Sequence, residues 1–419
     1  MHPGPSTGKF RLLSAPSRDF DGYLNGNAME ALLIFLVALS ALLWVGFALS
    51  PWGLWHNQAV LDVVEAAKSN DSLHEITVLI PARNEAEVIQ ETLQSVIEQG
   101  PELKIILIDD GSEDGTAEKV RKVAQADLRV IRNLPLPPGW SGKLWALEQG
   151  RQFVTTPYTL LLDADIELDR GVLNALREKM RRRDLPFISL MAVPPMSSGW
   201  EKLLMPAFVY FFKILYPFQA VNSPGAKIAA AAGGCILTES RLLEGIGGFA
   251  PIKTAVIDDC VLARRIKSQG FNIWLGLTHS VKSVRGYRRL KEIWDMVARS
   301  AFAQLRYSLG LLALCTLAML LVYGIPAVMV ASSNIVIRGL SLGSLAIMFL
   351  TYVPILRFYN RSWAWALCLP FIAALFLAMT WTSAIRYWRG EQTRWKGRVY
   401  RREAAAVEFA AKGELKSKP

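Results

Sequence analysis

Four stretches of this chain, 31–49, 309–331, 335–356 and 363–388, stay apolar long enough to cross a bilayer. Inside a membrane every backbone N–H and C=O must find its partner within the protein, so each run can only be a helix. The 52% hydrophobic content of the 419 residues is explained by these runs, and whatever lies between the first and the second is tied to a membrane at both ends. Residues 29–55 are expected to form a transmembrane anchor. The run is interrupted only by Ser40 and Gly46, no Ala-x-Ala-type site follows it, and Pro51-Trp52-Gly53-Leu54-Trp55 has the look of an interfacial aromatic belt. Residues 1–28 are polar and rich in Gly, Pro and Ser, which predicts a disordered tail. Met29 opens the apolar run directly and is a second candidate start beside Met1.

The C-terminal side poses a conflict. Residues 309–388 hold three transmembrane or re-entrant helices, followed by a basic tail, 389–419, with Arg394, Lys396, Arg398, Arg401 and Arg402. If the middle of the chain faces the cytoplasm, three further spans put that tail outside, against the positive-inside rule. Either the rule fails here or one run is re-entrant, and Arg338 and Gly339 make 335–356 the weakest span.

Between the runs the pattern changes to strand–helix alternation. Short β-branched runs at 76–80, 104–108, 128–131, 158–162 and 187–193 alternate with helical spacings such as Val88/Ile89, Leu93 and Val96/Ile97. That alternation predicts an α/β domain, a mostly parallel sheet flanked by helices on both faces. Residues 200–220 are aromatic but broken by Lys202, Pro206, Lys213 and Pro217; residues 289–307 alternate cationic and apolar positions. Both are expected to be interfacial helices lying in the headgroup region, with a buried core helix as the alternative for 200–220.

Composition excludes several functions. The net charge is +11, but no cluster of basic residues is interleaved with exposed-type aromatics, so no nucleic-acid partner is expected. Cys235, Cys260, Cys315 and Cys368 are scattered without metal or disulfide spacing, which suits reduced thiols in a cytosol-facing membrane protein. His2, His56, His74 and His279 are too dispersed for a zinc site. No P-loop, no Gly-x-Gly-x-x-Gly after the first strand and no Gly-x-Ser-x-Gly elbow is present. The apolar runs lack acids that could relay ions, which argues against a transporter.

The chemistry is carried by acids. Glu85, Asp109/Asp110, Asp163/Asp165 and Asp258/Asp259 all fall where strands should end or helices begin. One such acid is most often a helix cap or a solvated loop residue. Four sites on the ligand-binding edge of one sheet would repel each other unless a cation offset them, and a metal–diphosphate site explains them together. Gly142-Lys143, opening a helix, offers a cation and a helix N-terminus to an anion.

These residues resemble the family 2 glycosyltransferases. Thr77-Val78-Leu79-Ile80-Pro81-Ala82-Arg83-Asn84-Glu85, Ile108-Asp109-Asp110-Gly111-Ser112-Glu113-Asp114-Gly115-Thr116, Asp163-Ala164-Asp165 and Asp258-Asp259 stand in that family's order. The resemblance covers 74–308 and implies a GT-A fold, Rossmann-like. More narrowly, Gly139-Trp140-Ser141-Gly142-Lys143-Leu144-Trp145-Ala146, Ile257-Asp258-Asp259-Cys260 and Gln304-Leu305-Arg306-Tyr307 are similar to the hopene-associated subgroup of bacterial membrane enzymes.

The resemblance implies roles. Pro81, Glu85, Asp109 and Asp110 would hold the nucleotide base and ribose. Lys143 would meet the diphosphate. Asp163 would bind the nucleotide, and Asp163 with Asp165 would hold Mg²⁺ or Mn²⁺ on its diphosphate, in the manner of an Asp-x-Asp motif. Asp259 would be the general base, with Asp258 beside it in place of the more usual Glu. Gln304 and Arg306 match a Gln-x-Arg-Trp-like motif, with Tyr307 where Trp is usual. Asp259 at a helix N-terminus should be favoured as an anion. The implied protein is an inverting glycosyltransferase of the bacterial inner membrane, catalytic domain in the cytoplasm, moving a hexose-like sugar from a nucleotide sugar (a UDP-sugar first) to a lipid acceptor of hopanoid or other isoprenoid type. A processive polysaccharide synthase and an inactive nucleotide-sugar-binding scaffold are the alternatives. Oligomeric state leaves no trace in the sequence.

Overall fold

The computed structural model describes residues 18–53, 55–63, 71–123, 127–395 and 398–401. Eight strands form one sheet: β1 (Ile76–Ala82), β2 (Lys104–Asp109), β3 (Leu128–Arg132), β4 (Tyr158–Leu162), β5 (Ile166–Leu168), β6 (Phe187–Val193), β7 (Cys235–Glu239) and β8 (Trp274–Ser283), in the order β3-β2-β1-β4-β7-β6-β8-β5. The block β3-β2-β1-β4 and the pair β6–β8 are parallel, whereas β7 runs against both of its neighbours and β5 against β8. The sheet is mostly parallel and flanked by helices, as the GT-A resemblance implies. Strand β1 is buried from end to end, which is why its sequence is a continuous apolar run rather than an alternating one.

This order positions the site. Strands β2, β1 and β4 are parallel neighbours, so Asp109, Ala82 and Leu162 end side by side and the acids after them emerge on one edge. Strand β7 comes back beside β4 with Cys235 opposite Leu162, which brings Gly233 and Gly234 to the same edge; the Asp163 N–H donates to the Gly234 carbonyl at 3.1 Å.

Among the described residues, four helical segments are long and apolar enough to cross a membrane: Ala28–Ala48, Leu309–Met329, Ile335–Phe358 and Trp363–Trp388. The 335–356 run, expected to be the weakest span, is one continuous 24-residue helix. The second segment contains a π-helical turn, Leu320–Gly324. The buried Trp44 Nε1 donates to the Val322 carbonyl at 2.9 Å within that turn, satisfying an acceptor the irregularity exposes.

Three expectations are corrected. The first helix begins at Arg18, so residues 18–28 are helical rather than disordered; residues 1–17 lie outside the described ones. The 200–220 segment is a helix, Gly199–Leu215, closed by a Ser198–Glu201 capping box. It takes the alternative form, a buried core helix: Leu204, Met205, Ala207, Val209 and Tyr210 are buried, and the helix packs against both Ile335–Phe358 and Leu369–Trp388. Within 289–307, only Leu290–Ala298 forms a sustained helix, with Ile293 and Val297 buried and its length packed on Leu369–Trp388. The basic tail begins with a hairpin of Glu391–Trp395 and Arg398–Arg401; its last residues, 402–419, lie outside the described ones.

Polar contacts join the catalytic half to the membrane half. Lys213, buried on the Gly199–Leu215 helix, donates to the His56 carbonyl at 2.9 Å and to Asn57 Oδ1 at 2.5 Å. Asn57 in turn donates through Nδ2 to the Pro354 carbonyl at 2.9 Å. A single junction thus ties the segment after the first span, the helix beneath the sheet and the third span.

Candidate active site

The site begins at the helix Gly142–Arg151. Ser141 caps it by accepting from the Leu144 N–H at 3.3 Å, which places Lys143 in the first turn. Lys143 Nζ lies 2.6 Å from Asp163 Oδ1, off the end of β4, and 3.7 Å from Asp258 Oδ2, in the first turn of the helix Asp258–Ser268. Pro81, Lys143, Asp163, Gly233, Asp258 and Asp259 line one small pocket. Burial alone would lower the Lys143 ammonium, but Asp163 and then Asp258 hold it well above the usual lysine range.

Asp259 sits against bare backbone. Its Oδ1 accepts from the Cys260 N–H at 2.7 Å. A Cβ on Gly233 would come within 3.1 Å of its Oδ2, so only glycine lets the carboxylate approach this closely without a shift. Burial, with Asp258 acting in the same direction, outweighs the opposing pull of Lys143 and of the backbone N–H groups of Cys260 and Gly233 and raises its pKa to about 7. This corrects the expectation from the helix N-terminus. The helix end does favour the anion, but desolvation is the larger effect here.

A second cation holds the rest of the edge. Arg285 forms a short ion pair with Glu85, which is almost fully buried, and reaches Asp165 Oδ2 through Nε at 3.2 Å. The antiparallel pairing of β5 and β8 makes this possible: Ile166 is opposite Ser283, and the Val284 N–H donates to the Asp165 carbonyl at 2.9 Å. The turn behind Arg285 is pinned by Glu201, whose buried carboxylate accepts from the N–H groups of Tyr287 at 2.5 Å, Ser198 at 2.7 Å and Ser197 at 3.0 Å. Sequence reasoning missed Arg285 and Glu201. Arg285 stands in a Lys- and Arg-rich stretch where nothing in the spacing singles it out, and Glu201 lies at the start of the aromatic 200–220 segment, where no pattern marks it.

The remaining candidates divide. Asp109 Oδ1 accepts from the Ser112 N–H at 3.0 Å, and Asp110 Oδ1 from Asn133 Nδ2 at 2.9 Å, with Arg83 at 3.9 Å. Both shape the loop after β2 on the same edge. Gln304 Oε1 accepts from the Tyr216 hydroxyl at 2.6 Å, and Tyr216 in turn contacts Cys260, next to Asp259. Arg306 is exposed, with a left-handed φ of 52°, and lines neither the pocket nor the larger cavity beside it. Tyr307, its neighbour, stacks on Tyr387 at 4.3 Å between ring centres. That larger cavity, about 1090 Å³, has Arg285, Tyr287, Asp295, Arg299, Tyr307 and Arg386 in its wall. It lies between the sheet edge and the end of the last apolar helix.

Asp163 and Asp165 have the chemistry of ligands for a divalent cation. They supply hard oxygen donors two residues apart, and each already faces a protein cation, Lys143 or Arg285, that stands where positive charge is wanted. No group of three or more His, Cys, Asp or Glu side chains converges among the described residues. The pair therefore fits a cation whose shell is completed by ligand oxygens and water, as Mg²⁺ prefers, rather than a closed protein cage.

Residues 77–247 match the family model described as Glycosyl transferase family 2. The chain is 28% identical over 151 residues to the 4,4'-diaponeurosporenoate glycosyltransferase of Staphylococcus haemolyticus, an alignment of 36% of this chain and 40% of that protein. It is 38% identical over 101 residues to the poly-beta-1,6-N-acetyl-D-glucosamine synthase of Staphylococcus aureus, 24% of each chain. The match thus spans less than half the length of either relative. Among solved structures, the mannosyltransferase PcManGT of Pyrobaculum calidifontis, in complex with GDP-Man and Mn²⁺, aligns with a TM-score of 0.49 and 19% identity, covering 87% of this chain and 98% of that one.

Proposed function

We propose that this chain, which carries a glycosyl transferase family 2 domain over residues 77–247, is an inverting membrane glycosyltransferase that moves a sugar from a nucleotide sugar to a lipid acceptor. The observation that carries the reading is Asp259: a carboxylate with a pKa near 7 in the same small pocket as Asp163 and Lys143. A general base works best when its pKa lies near the operating pH.

In this mechanism the Asp259 carboxylate takes the proton of the acceptor hydroxyl. The acceptor oxygen attacks the anomeric carbon from the face opposite the leaving group. The bond from that carbon to the diphosphate oxygen breaks, and the nucleoside diphosphate departs with its electron pair. Lys143 and Arg285 place positive charge beside Asp163 and Asp165, where this reading puts the diphosphate. When bound, Mg²⁺ or Mn²⁺ held by Asp163 and Asp165 would neutralise the departing diphosphate. Pro81, Glu85, Asp109 and Asp110 are assigned to the base and ribose, and Gln304 to steadying the Asp258–Asp259 helix through Tyr216; Arg306, exposed and outside both cavities, is assigned no part in holding the diphosphate. A UDP-sugar is the first donor to try, a hopanoid or other isoprenoid-type lipid the first acceptor. The bacterial inner membrane, with this domain on its cytoplasmic side where nucleotide sugars are made, is the assigned location.

The test is a screen of sugar nucleotides against extracted membrane lipids, read by product mass; absence of any glycosylated lipid with every donor would remove the reading. The similarity to a poly-beta-1,6-N-acetyl-D-glucosamine synthase favours a second one, processive polymerisation. The same mass spectra separate the two: a single added sugar supports transfer to lipid, and a ladder of sugars supports the synthase.

The acid limb of the rate profile follows from Asp259. The base must be ionised, so kcat/KM, which reports the free enzyme, should fall about tenfold per unit below pH 7 and level off above it. Asp258, Lys143 and Cys260 face Asp259. A plateau that persists down to pH 5 would exclude Asp259 as the base.

A further inference from the structure

Apart from the cavity at the sheet edge, the membrane half carries a separate apolar groove of about 460 Å³ between Leu309–Met329 and Leu369–Trp388, closed at one end by Trp294. One wall is a single face of the last helix: Pro370, Ala373, Leu377, Ala378, Trp381 and Ile385 recur at helical spacing. That stripe is about 22 Å long at 1.5 Å per residue, most of the roughly 30 Å hydrocarbon core of a bilayer. The facing wall is the π-helical turn with Tyr323 and Gly324. Alanines on one side and glycine on the other leave a trough where two leucine-lined helices would have closed.

Two features bear on what the trough would hold. Most of its side-chain polar atoms are already used: Thr382 Oγ1 donates to the Ala378 carbonyl at 2.9 Å and accepts from Trp294 Nε1 at 3.1 Å, and Trp381 Nε1 donates to Thr316 Oγ1 at 3.0 Å. Apart from the Tyr323 hydroxyl the lining is apolar, which suits a hydrocarbon chain better than a polar ligand. The trough also adjoins the polar cavity, separated from it by the thickness of two helices' neighbouring side chains. On the helix Leu290–Ala298, Trp294 lines the groove and Asp295 the cavity; on the last helix, Thr382 and Ile385 line the groove while Ser383 and Arg386 line the cavity. The Asp295–Arg386 ion pair at 2.5 Å marks the seam. Arg285, on the far wall of that cavity, reaches Asp165.

We propose that this groove seats the apolar chain of the lipid acceptor, with the hydroxylated head group turned through the seam into the polar cavity. The inference rests on the glycosyl-transfer reading above and adds the place where the acceptor's chain binds. A head group so placed meets the carboxylate edge from the membrane side, whereas a nucleotide sugar reaches it from water.

The experiment uses the full chain in vesicles of phosphatidylethanolamine and phosphatidylglycerol, with a diazirine-bearing long-chain alcohol as the probe. Photolabelling should concentrate on the peptide 370–385 and on the turn 320–324, and extracted membrane lipid should compete it away. Labelling spread evenly over all four apolar helices would mean bulk lipid only and would overturn the proposal. In parallel, Ala374→Phe and Ala378→Phe fill the trough. Each should raise KM for the lipid acceptor about tenfold or more, the discrimination that a few methylenes in an apolar pocket provide, and move KM for the sugar nucleotide far less. Transfer with an unchanged lipid KM in both variants would defeat the groove and leave the glycosyltransferase intact. Groove labelling in the wild type without transfer to any lipid would defeat the enzymatic reading and keep the groove as a lipid site.

Discussion

Asp259→Asn should abolish turnover and leave nucleotide binding nearly intact. The amide keeps the shape of the carboxylate but has one acceptor oxygen for the two backbone N–H groups, of Cys260 and Gly233, that face it, and it cannot take a proton. Loss of a positioned general base costs roughly a hundred- to ten-thousand-fold in rate, or about 3–5 kcal/mol of barrier at 1.36 kcal/mol per factor of ten. Because Asp259 contributes charge rather than contacts to the donor, the Kd for UDP measured by calorimetry should stay within a small factor of wild type. Removing a carboxylate from the Lys143 cluster even relieves repulsion with Asp258. Turnover that survives the substitution would move the base elsewhere, Asp258 being next in line, and a protein that never turns over but binds UDP in both forms would point to a scaffold.

The second large effect is the converse. Asp163→Asn should raise the Kd for UDP in the presence of Mn²⁺ by at least about a hundredfold, the upper end of what even an indirect metal contact is worth. It should also make the remaining binding insensitive to EDTA. Lys143 would keep Asp258 at 3.7 Å as a partner, so the buried ammonium is not stranded and the fold should survive; circular dichroism melting controls for this. The two substitutions therefore separate: one leaves binding without turnover, the other removes binding first. If Asp163→Asn binds UDP as the wild type does and still responds to EDTA, the metal is held elsewhere.

Much of this arrangement is legible in the sequence because it is local. Continuous apolar runs become buried strands, and the order β2, β1, β4 then forces Asp109, Glu85 and Asp163 onto one edge. The start of the Asp258–Ser268 helix and the apolar spans are equally local, set by spacing and length. What stays hidden depends on partners distant in the chain. Arg285 reaches Glu85 across 200 positions, and no periodicity connects them. The proton affinity of Asp259 depends on how tightly Gly233 and Cys260 enclose it, and a helix-end argument misses that. Residues 199–215 have the composition of an interfacial helix, and only the helices that close over them decide that they are interior.

The junction of Lys213, Asn57 and Pro354 has a kinetic consequence. It fixes the catalytic pocket at one height and orientation relative to the spans, so the domain cannot swing away to meet an acceptor in water. Under the proposed transfer to a lipid, encounter with the acceptor is then by lateral diffusion in two dimensions. At constant bulk lipid, diluting the acceptor with inert phosphatidylcholine should slow the reaction in proportion to its mole fraction in the surface, while doubling the number of vesicles at fixed composition should leave the rate per enzyme unchanged. For a soluble enzyme of the same chemistry the dependence would be reversed.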